Sequence, residues 1–210
     1  MQKLSTLICA FCLSLAVSAQ EQTTKLTLFN NFQPAIVHLT TGKDMTLAFA
    51  NIGLKDANLL YLHGTYTMQA NMDNVAGMDI GGRSFVKIEK RLSERLDTVK
   101  NNQLFCTTII DMPAFEQNQK NSKNITNLDF SNDMTSYSTI DLESEDDRQL
   151  PVIHIFHYRY KGEIIKVHER EIWRRLPKDK RHIYKSIISL PTFSWVDRAS
   201  LVQLLKAITD

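Results

Sequence analysis

The sequence is poor in cysteine and glycine. It contains three cysteines and seven glycines in 210 residues, and two of the cysteines lie within the first 19 positions. If that segment is removed, Cys106 alone is left and no intramolecular disulfide can form. No C-x-x-C or H-E-x-x-H spacing and no G-x-S-x-G elbow is present. These absences exclude a disulfide-stapled fold, a zinc motif of familiar spacing and the nucleophile elbow of serine hydrolases.

A strong net charge is also missing. The chain carries 25 basic and 23 acidic side chains, a formal net charge of +2. Such a balance gives no long-range attraction for nucleic acid, which we therefore do not expect as a partner. A local basic cluster interrupts it beside Trp173 and Tyr184: Arg170, Arg174, Arg175, Lys178, Lys180, Arg181 and Lys185. We interpret this cluster as a solvated helix face, with an anionic envelope surface or a partner protein as the alternative.

The N-terminus has the three parts of a secretory signal peptide. Lys3 is followed by an apolar run over residues 4–17 and by the small-x-small pattern Val17-Ser18-Ala19, which predicts a signal peptide over residues 1–19. The apolar run is shorter than the ~20 residues of a spanning helix, so no transmembrane segment is expected after cleavage. An uncleaved anchor is the alternative. An exported chain without disulfides is typical of a bacterial periplasm or cell surface.

Residues 20–210 have the length of one globular domain. Gly81-Gly82 predicts a hairpin turn between two short strands. Residues 91–99 fit either a helix or a strand. Short apolar segments bounded by turn signals predict an antiparallel β-sheet or roll, and thus an α+β fold, with strands at 32–39, 45–52, 59–63, 66–72, 78–80, 85–88 and 104–112.

Two segments lack such patterns. Residues 20–31 are polar and predict a loosely held N-terminal arm. Residues 116–149 are rich in Asn, Gln and Lys and then acidic, which predicts a mobile excursion from the domain. The acidic run at 141–147 lacks the central glycine of a calcium loop, so we interpret it as solvated.

The clearest local pattern is a hairpin over residues 152–169 with a two-residue loop at Lys161-Gly162. This register pairs Tyr158 with Ile165 and puts His154 opposite Glu169 on a buried face. We predict a hydrogen-bonded His154–Glu169 pair with no metal near it. His157 falls on the other face of the strand.

The C-terminal part has helical periodicity. Pro177 fits the first turn of one helix, Pro191 ends it, and Ser194 is the predicted cap of a second helix. The two helices should form a hairpin that lies on the sheet. Their predicted apolar stripes are Ile183, Tyr184, Ile187 and Ile188 in the first, and Val196, Ala199, Val202, Leu205 and Ile208 in the second.

No residue pattern points to a catalytic, cofactor-binding or metal site, and none is predicted. Cys106 has apolar neighbours and is interpreted as a buried, inert thiol. The leading hypothesis is a non-catalytic periplasmic or surface protein that binds another protein or a glycan. The alternative is a hydrolase acting on envelope or dietary polysaccharide, because paired carboxylates meet only in the folded chain.

Several segments together carry a resemblance. They are ANIGLK at 50–55, LLY at 59–61, MQANM at 68–72, VHER at 167–170, LPKDKR at 176–181 and FSW at 193–195. With these segments the chain resembles an uncharacterised family of exported Bacteroidetes proteins. The resemblance implies a Gram-negative host and a family without an assigned activity, so it transfers no functional residues.

Overall fold

The computed structural model describes residues 22–23, 26–121, 136–138 and 150–209. Within this part an antiparallel sheet carries the C-terminal helices on one side, which confirms the predicted α+β class. The predicted signal peptide and most of the predicted excursion lie outside the described residues. No helix in the described part combines the length and apolar character that a membrane crossing requires.

Twelve strands of the described residues form one sheet in the order β1-β11-β9-β8-β7-β6-β2-β3-β4-β5-β10, with β12 paired to β11. Residues 91–99, which fit two states in the sequence, are a strand because they pair with a neighbour on each side. The strands are β1 (Gln22–Thr23), β2 (Gln33–Leu39), β3 (Asp44–Gly53), β4 (Asn58–His63), β5 (Tyr66–Gln69), β6 (Val75–Ile80), β7 (Arg83–Ile88), β8 (Arg91–Val99), β9 (Asn102–Ile110), β10 (Ser136–Ser138), β11 (Leu150–Tyr160) and β12 (Glu163–Lys166).

Both predicted two-residue turns are confirmed. Gly81 and Gly82 join β6 to β7, and Lys161 and Gly162 join β11 to β12. All four residues have positive φ, between 51° and 88°. This is the left-handed backbone of a type I′ turn, whose twist matches that of the flanking strands.

Four α-helices complete the described part: α1 (Met112–Asn121), α2 (Glu169–Arg175), α3 (Arg181–Ile188) and α4 (Arg198–Thr209). Helices α3 and α4 are the predicted hairpin, whereas α1 and α2 were not predicted. The predicted cap of α4 is wrong, because Asp197 Oδ2 accepts the Ser200 N–H at 2.7 Å while Ser194 caps only a preceding turn. Of the predicted stripe, Leu205 and Ile208 are buried, whereas Val196 lies before the helix and is 69% exposed. The other buried positions of α4 are Ser200, Leu201 and Leu204.

The helices cover one face of β9, β11 and β12. Leu201, Leu204 and Leu205 of α4 pack with Leu104 and Tyr158 in a buried cluster that also takes in residues of α2 and α3. The Tyr158 hydroxyl donates to the Leu201 carbonyl at 2.7 Å. Burial raises the pKa of Tyr158, which keeps this hydroxyl protonated as a donor.

The other core lies inside the curve of the sheet. Side chains from β2, β3, β4 and β6 meet Leu92 of β8 and Ile109 of β9 in one cluster, although β4 and β9 are far apart in the strand order. The sheet must therefore curl. The backbone of the turn between β3 and β4 closes the gap, because Leu54 and Ala57 accept hydrogen bonds from Ile110 and Leu92, both 2.8 Å long.

Residues 26–31 are held against this curled sheet, so the prediction of a loosely held arm is wrong for them. The buried Asn51 side chain donates to the Phe29 carbonyl at 2.9 Å and accepts the Phe29 N–H at 3.1 Å. The Phe29 ring packs edge-on against Phe85, and the Arg83 guanidinium lies 5.2 Å from the Phe29 ring centre. The buried Asn51 amide adds to a short backbone pairing, in which Leu28 donates to the Ile52 carbonyl at 2.8 Å and Leu54 donates to the Leu26 carbonyl at 2.7 Å.

Replacing Asn51 with alanine should lower the free energy of unfolding by about 2–3 kcal/mol, because several buried backbone groups lose their partner together. Urea denaturation monitored by circular dichroism measures the change. The control is Asn74→Ala at an exposed position, which should change stability by less than about 0.5 kcal/mol. Equal effects of the two substitutions would contradict the role given to Asn51.

Replacing Tyr158 with phenylalanine should lower the free energy of unfolding by about 1 kcal/mol, because the ring still fits and only the hydroxyl contact with α4 is lost. Tyr160→Phe is the matched variant, since its hydroxyl lies 3.4 Å from the Ile208 carbonyl and makes a weaker contact. The same denaturation experiment should give the larger loss for Tyr158. The reverse order would show that the Leu201 contact does not anchor α4.

Candidate ligand-binding groove

The path of the chain after β12 decides where the functional side chains lie. The predicted register is confirmed from Tyr160–Glu163 to His157–Lys166, but the pairing then stops. His168 becomes the N-cap of α2, and its Nδ1 accepts the Arg170 N–H at 3.3 Å. Glu169 is therefore the first residue of a helix and not a strand partner.

The predicted His154–Glu169 pair is accordingly wrong. His154 lies opposite Thr108 of β9, and its Nδ1 is 3.0 Å from Thr108 Oγ1 and 3.6 Å from Cys106 Sγ. Cys106 is buried, as predicted. Within the described part of the chain, no three His, Cys, Asp or Glu side chains are arranged to hold a metal ion.

A groove of about 480 Å³ opens between α2 and α3. The Tyr184 hydroxyl of α3 donates to the Glu169 carbonyl at 3.2 Å and so joins the two helices at its base. Burial raises the pKa of Tyr184, and this hydroxyl stays protonated. The groove is lined by His168, Glu169, Arg170, Trp173, Tyr184, Lys185 and Ile188.

The charged side chains of α2 form two groups, one paired by salt bridges and one that lines the groove. Glu171 is bonded to Arg174 and Arg175, and the contact with Arg175 measures 2.6 Å. These arginines, Arg175 first, hold the pKa of the Glu171 carboxyl below its usual range. Arg170 lies on the groove side, and Glu169 is the one carboxylate among the lining residues described.

Trp173 organises the positive charge beside the groove. The Arg181 guanidinium lies 4.8 Å from its ring centre and the Lys185 ammonium 5.0 Å. Cation–π contact of this kind holds flexible side chains near a fixed position. Among the described residues no carboxylate forms an ion pair with Arg170, Arg181 or Lys185, and the buried Arg181 Nε has no hydrogen-bond acceptor.

The structure thus divides five residues of the basic cluster into two groups, while Lys178 and Lys180 lie in the short 3-10 helix between α2 and α3. Arg174 and Arg175 behave as the predicted solvated face and are paired with glutamates. Arg170 and Lys185 line an aromatic groove, which the sequence did not indicate, and Arg181 lies over the ring of Trp173. Tyr184 is buried as the predicted stripe requires, and it lies at the base of the groove.

A second polar cluster lies on β2, β3, β6 and β7. His38 Nδ1 is 2.8 Å from Asp44 and its Nε2 is 3.0 Å from Asp79, which also accepts the Ser84 hydroxyl at 2.6 Å. Because a carboxylate separates Ser84 from the imidazole, His38 cannot take the serine proton. The geometry is that of an imidazolium clamped between two carboxylates, not of a catalytic triad.

Comparison of the chain with protein-family models, with curated proteins and with solved structures finds no match. We therefore infer the function from the side chains that line the groove.

The His38 clamp should make stability depend on pH. Hydrogen bonds to Asp44 and Asp79 raise the His38 pKa above 6.5, so its stabilisation is fully present below that pH and is lost as pH rises through the folded-state value. The Asp79 pKa is lowered, chiefly by Ser84, so its contribution persists on acidification until pH falls below 3.8.

Replacing His38 with asparagine should therefore destabilise the protein by on the order of 0.5 kcal/mol at about pH 5.5 and by less at about pH 9. Urea denaturation at the two pH values measures the difference. His63→Asn at an exposed position is the control. A loss of stability that is the same at both pH values would contradict the clamp.

Proposed function

We propose that this chain is a non-catalytic protein of the bacterial periplasm or cell surface that binds a negatively charged group of a glycan or partner protein. The binding site is the groove between α2 and α3. The observation that carries the proposal is a set of three cations that form no ion pair with a carboxylate of the described residues. Arg170 and Lys185 line the groove, and Arg181 lies over the Trp173 ring.

The proposed cellular location of the protein is inferred from the sequence. Three features of the sequence support a location outside the cytoplasm. They are the predicted signal peptide over residues 1–19, the single cysteine beyond it and the resemblance to exported Bacteroidetes proteins. A ligand of the envelope or of the surroundings is then the relevant kind. Such ligands include acidic polysaccharides and acidic segments of surface proteins.

The groove favours binding over hydrolysis. Cleavage of a glycosidic bond needs two carboxyl groups about 5–10 Å apart on opposite sides of the bond. The described lining of the groove provides Glu169 alone. The neighbouring Glu171 is committed to Arg174 and Arg175 on the other side of the helix, so a second catalytic carboxylate is not supplied by α2.

Binding of acidic polymers by the purified chain tests the proposal. Polygalacturonate and polyglutamate should bind, and binding should weaken as salt screens the charges. The double variant R170Q/K185Q should bind about tenfold more weakly or worse, because each substitution removes a charge-assisted contact.

The matched control is K43Q/K206Q, which removes two charges at exposed positions away from the groove and should leave the affinity within about twofold. Equal weakening of both double variants would show diffuse charge attraction and overturn the groove as the site. Release of sugar fragments from a polysaccharide would overturn the non-catalytic proposal.

A further inference from the structure

The lining of the groove narrows the class of ligand, on the assumption that the proposed function is correct. We infer that the groove binds an acidic sugar, a uronate unit of a polysaccharide. Arg170 and Lys185 hold the sugar carboxylate, the Trp173 side chain contacts the ring, and Glu169 accepts the sugar hydroxyls.

The presence of Glu169 is the feature that separates a sugar acid from a bare anion. A carboxylate in the lining repels any anion, and it lowers the affinity most for an anion such as phosphate that offers it no neutral hydroxyl donors in return. A uronate differs because hydroxyl groups flank its carboxylate, and hydroxyls donate hydrogen bonds to an ionised carboxylate. A groove with cations and one acceptor therefore matches a ligand that is both acidic and hydroxylated.

The cations suit a carboxylate. The guanidinium of Arg170 presents a planar fork that binds both carboxylate oxygens, and Lys185 adds a compact charge. Lys185 lies 5.0 Å from the Trp173 ring centre, so its ammonium is positioned before the ligand arrives. Arg181, on the same ring, adds to the positive potential beside the groove.

The surroundings of the groove argue against an acidic protein segment. Protein interfaces have a centre of large apolar and aromatic side chains that are exposed in the free protein, with a polar rim around it. The exposed large hydrophobic residues of the described chain do not line the groove; they are Ile36, Met45, Phe49, Tyr66, Ile164, Leu190 and Val196. The volume of about 480 Å³ falls in the range of small-ligand pockets, roughly 300–1,000 Å³.

Calorimetric titration of the full mature chain with trigalacturonate and with its methyl ester tests the inference. The ester keeps the rings and hydroxyls and removes the charge, so it should bind at least about tenfold more weakly than the acid. R170Q and K185Q should each weaken the acid by about tenfold and abolish most of the difference between acid and ester. K206Q, at an exposed position of α4, should change neither affinity.

Glu169→Gln provides the readout that a bare-anion site would not share. It should weaken trigalacturonate several-fold, because a hydroxyl acceptor loses its charge, and strengthen inorganic phosphate and polyglutamate, because a repulsion is removed. Stronger binding of all three ligands would overturn the sugar inference.

Tryptophan fluorescence tests whether the ligand binds beside Trp173. Trp173 and Trp195 are the two tryptophans of the chain, and the emission change on adding trigalacturonate should persist in W195F and disappear in W173F. Persistence of the emission change in W173F would overturn the assignment of the groove.

Binding of polyglutamate or of anionic phospholipid vesicles, with no binding of trigalacturonate, would overturn the sugar class and leave the proposed function standing. Failure of every anion to bind would overturn the proposed function itself.

Discussion

Docking of α4 onto β8, β9 and β11 is the contact on which the rest of the helical layer depends. Leu201, Leu204 and Leu205 are fully buried there. Burial of one such side chain stabilises a fold by about 1.5–3 kcal/mol, so three on one face outweigh any surface ion pair of the molecule. Helix α3 packs on α4, and α2 is joined to α3 through Tyr184. The groove between α2 and α3 therefore depends on the docking of α4 onto the sheet, because α4 holds α3 and α3 holds α2.

The same docking explains why β9 and β11 are apolar on both faces. Leu104 faces the helices while Phe105 is buried on the other face, and His157 lies opposite Phe105. Burial lowers the pKa of His157, which favours its neutral form in that setting. Strands covered on both sides lose the simple alternation of polar and apolar residues, and they form the rigid centre from which the curled sheet and the helices extend.

The parts of the fold that were predictable have local causes. Glycine at the turns after Ile80 and Lys161 fixes two hairpins, and the register from Tyr160 to His157 follows from the second turn. The errors come from tertiary contacts. The pairing of β12 ends after Lys166 because His168 caps a helix, and a residue that reads equally well in a strand gives no local sign of that change.

The groove was the least predictable feature for the same reason. Arg170 and Trp173 share one face of α2 through helical spacing, but α2 itself was not predicted. Lys185 reaches them only through the packing of α3. What the sequence did contain was the basic cluster with its two aromatic residues. The sequence does not show which of these basic residues form salt bridges and which line the groove, because that depends on how α2 and α3 pack.

The charged side chains of α2 differ in whether they form ion pairs. Glutamate at i with arginines at i+3 and i+4 stabilises a short helix, and Glu171 forms such pairs with Arg174 and Arg175. Arg170 stands one position before this acceptor and points to the groove instead. A helix selected only for solubility would gain by pairing Arg170 as well. Glu171 compensates Arg174 and Arg175 on one side of α2, whereas Arg170 lines the groove and forms no ion pair with a carboxylate of the described residues. This placement of Arg170 supports the proposed binding of an anion in the groove.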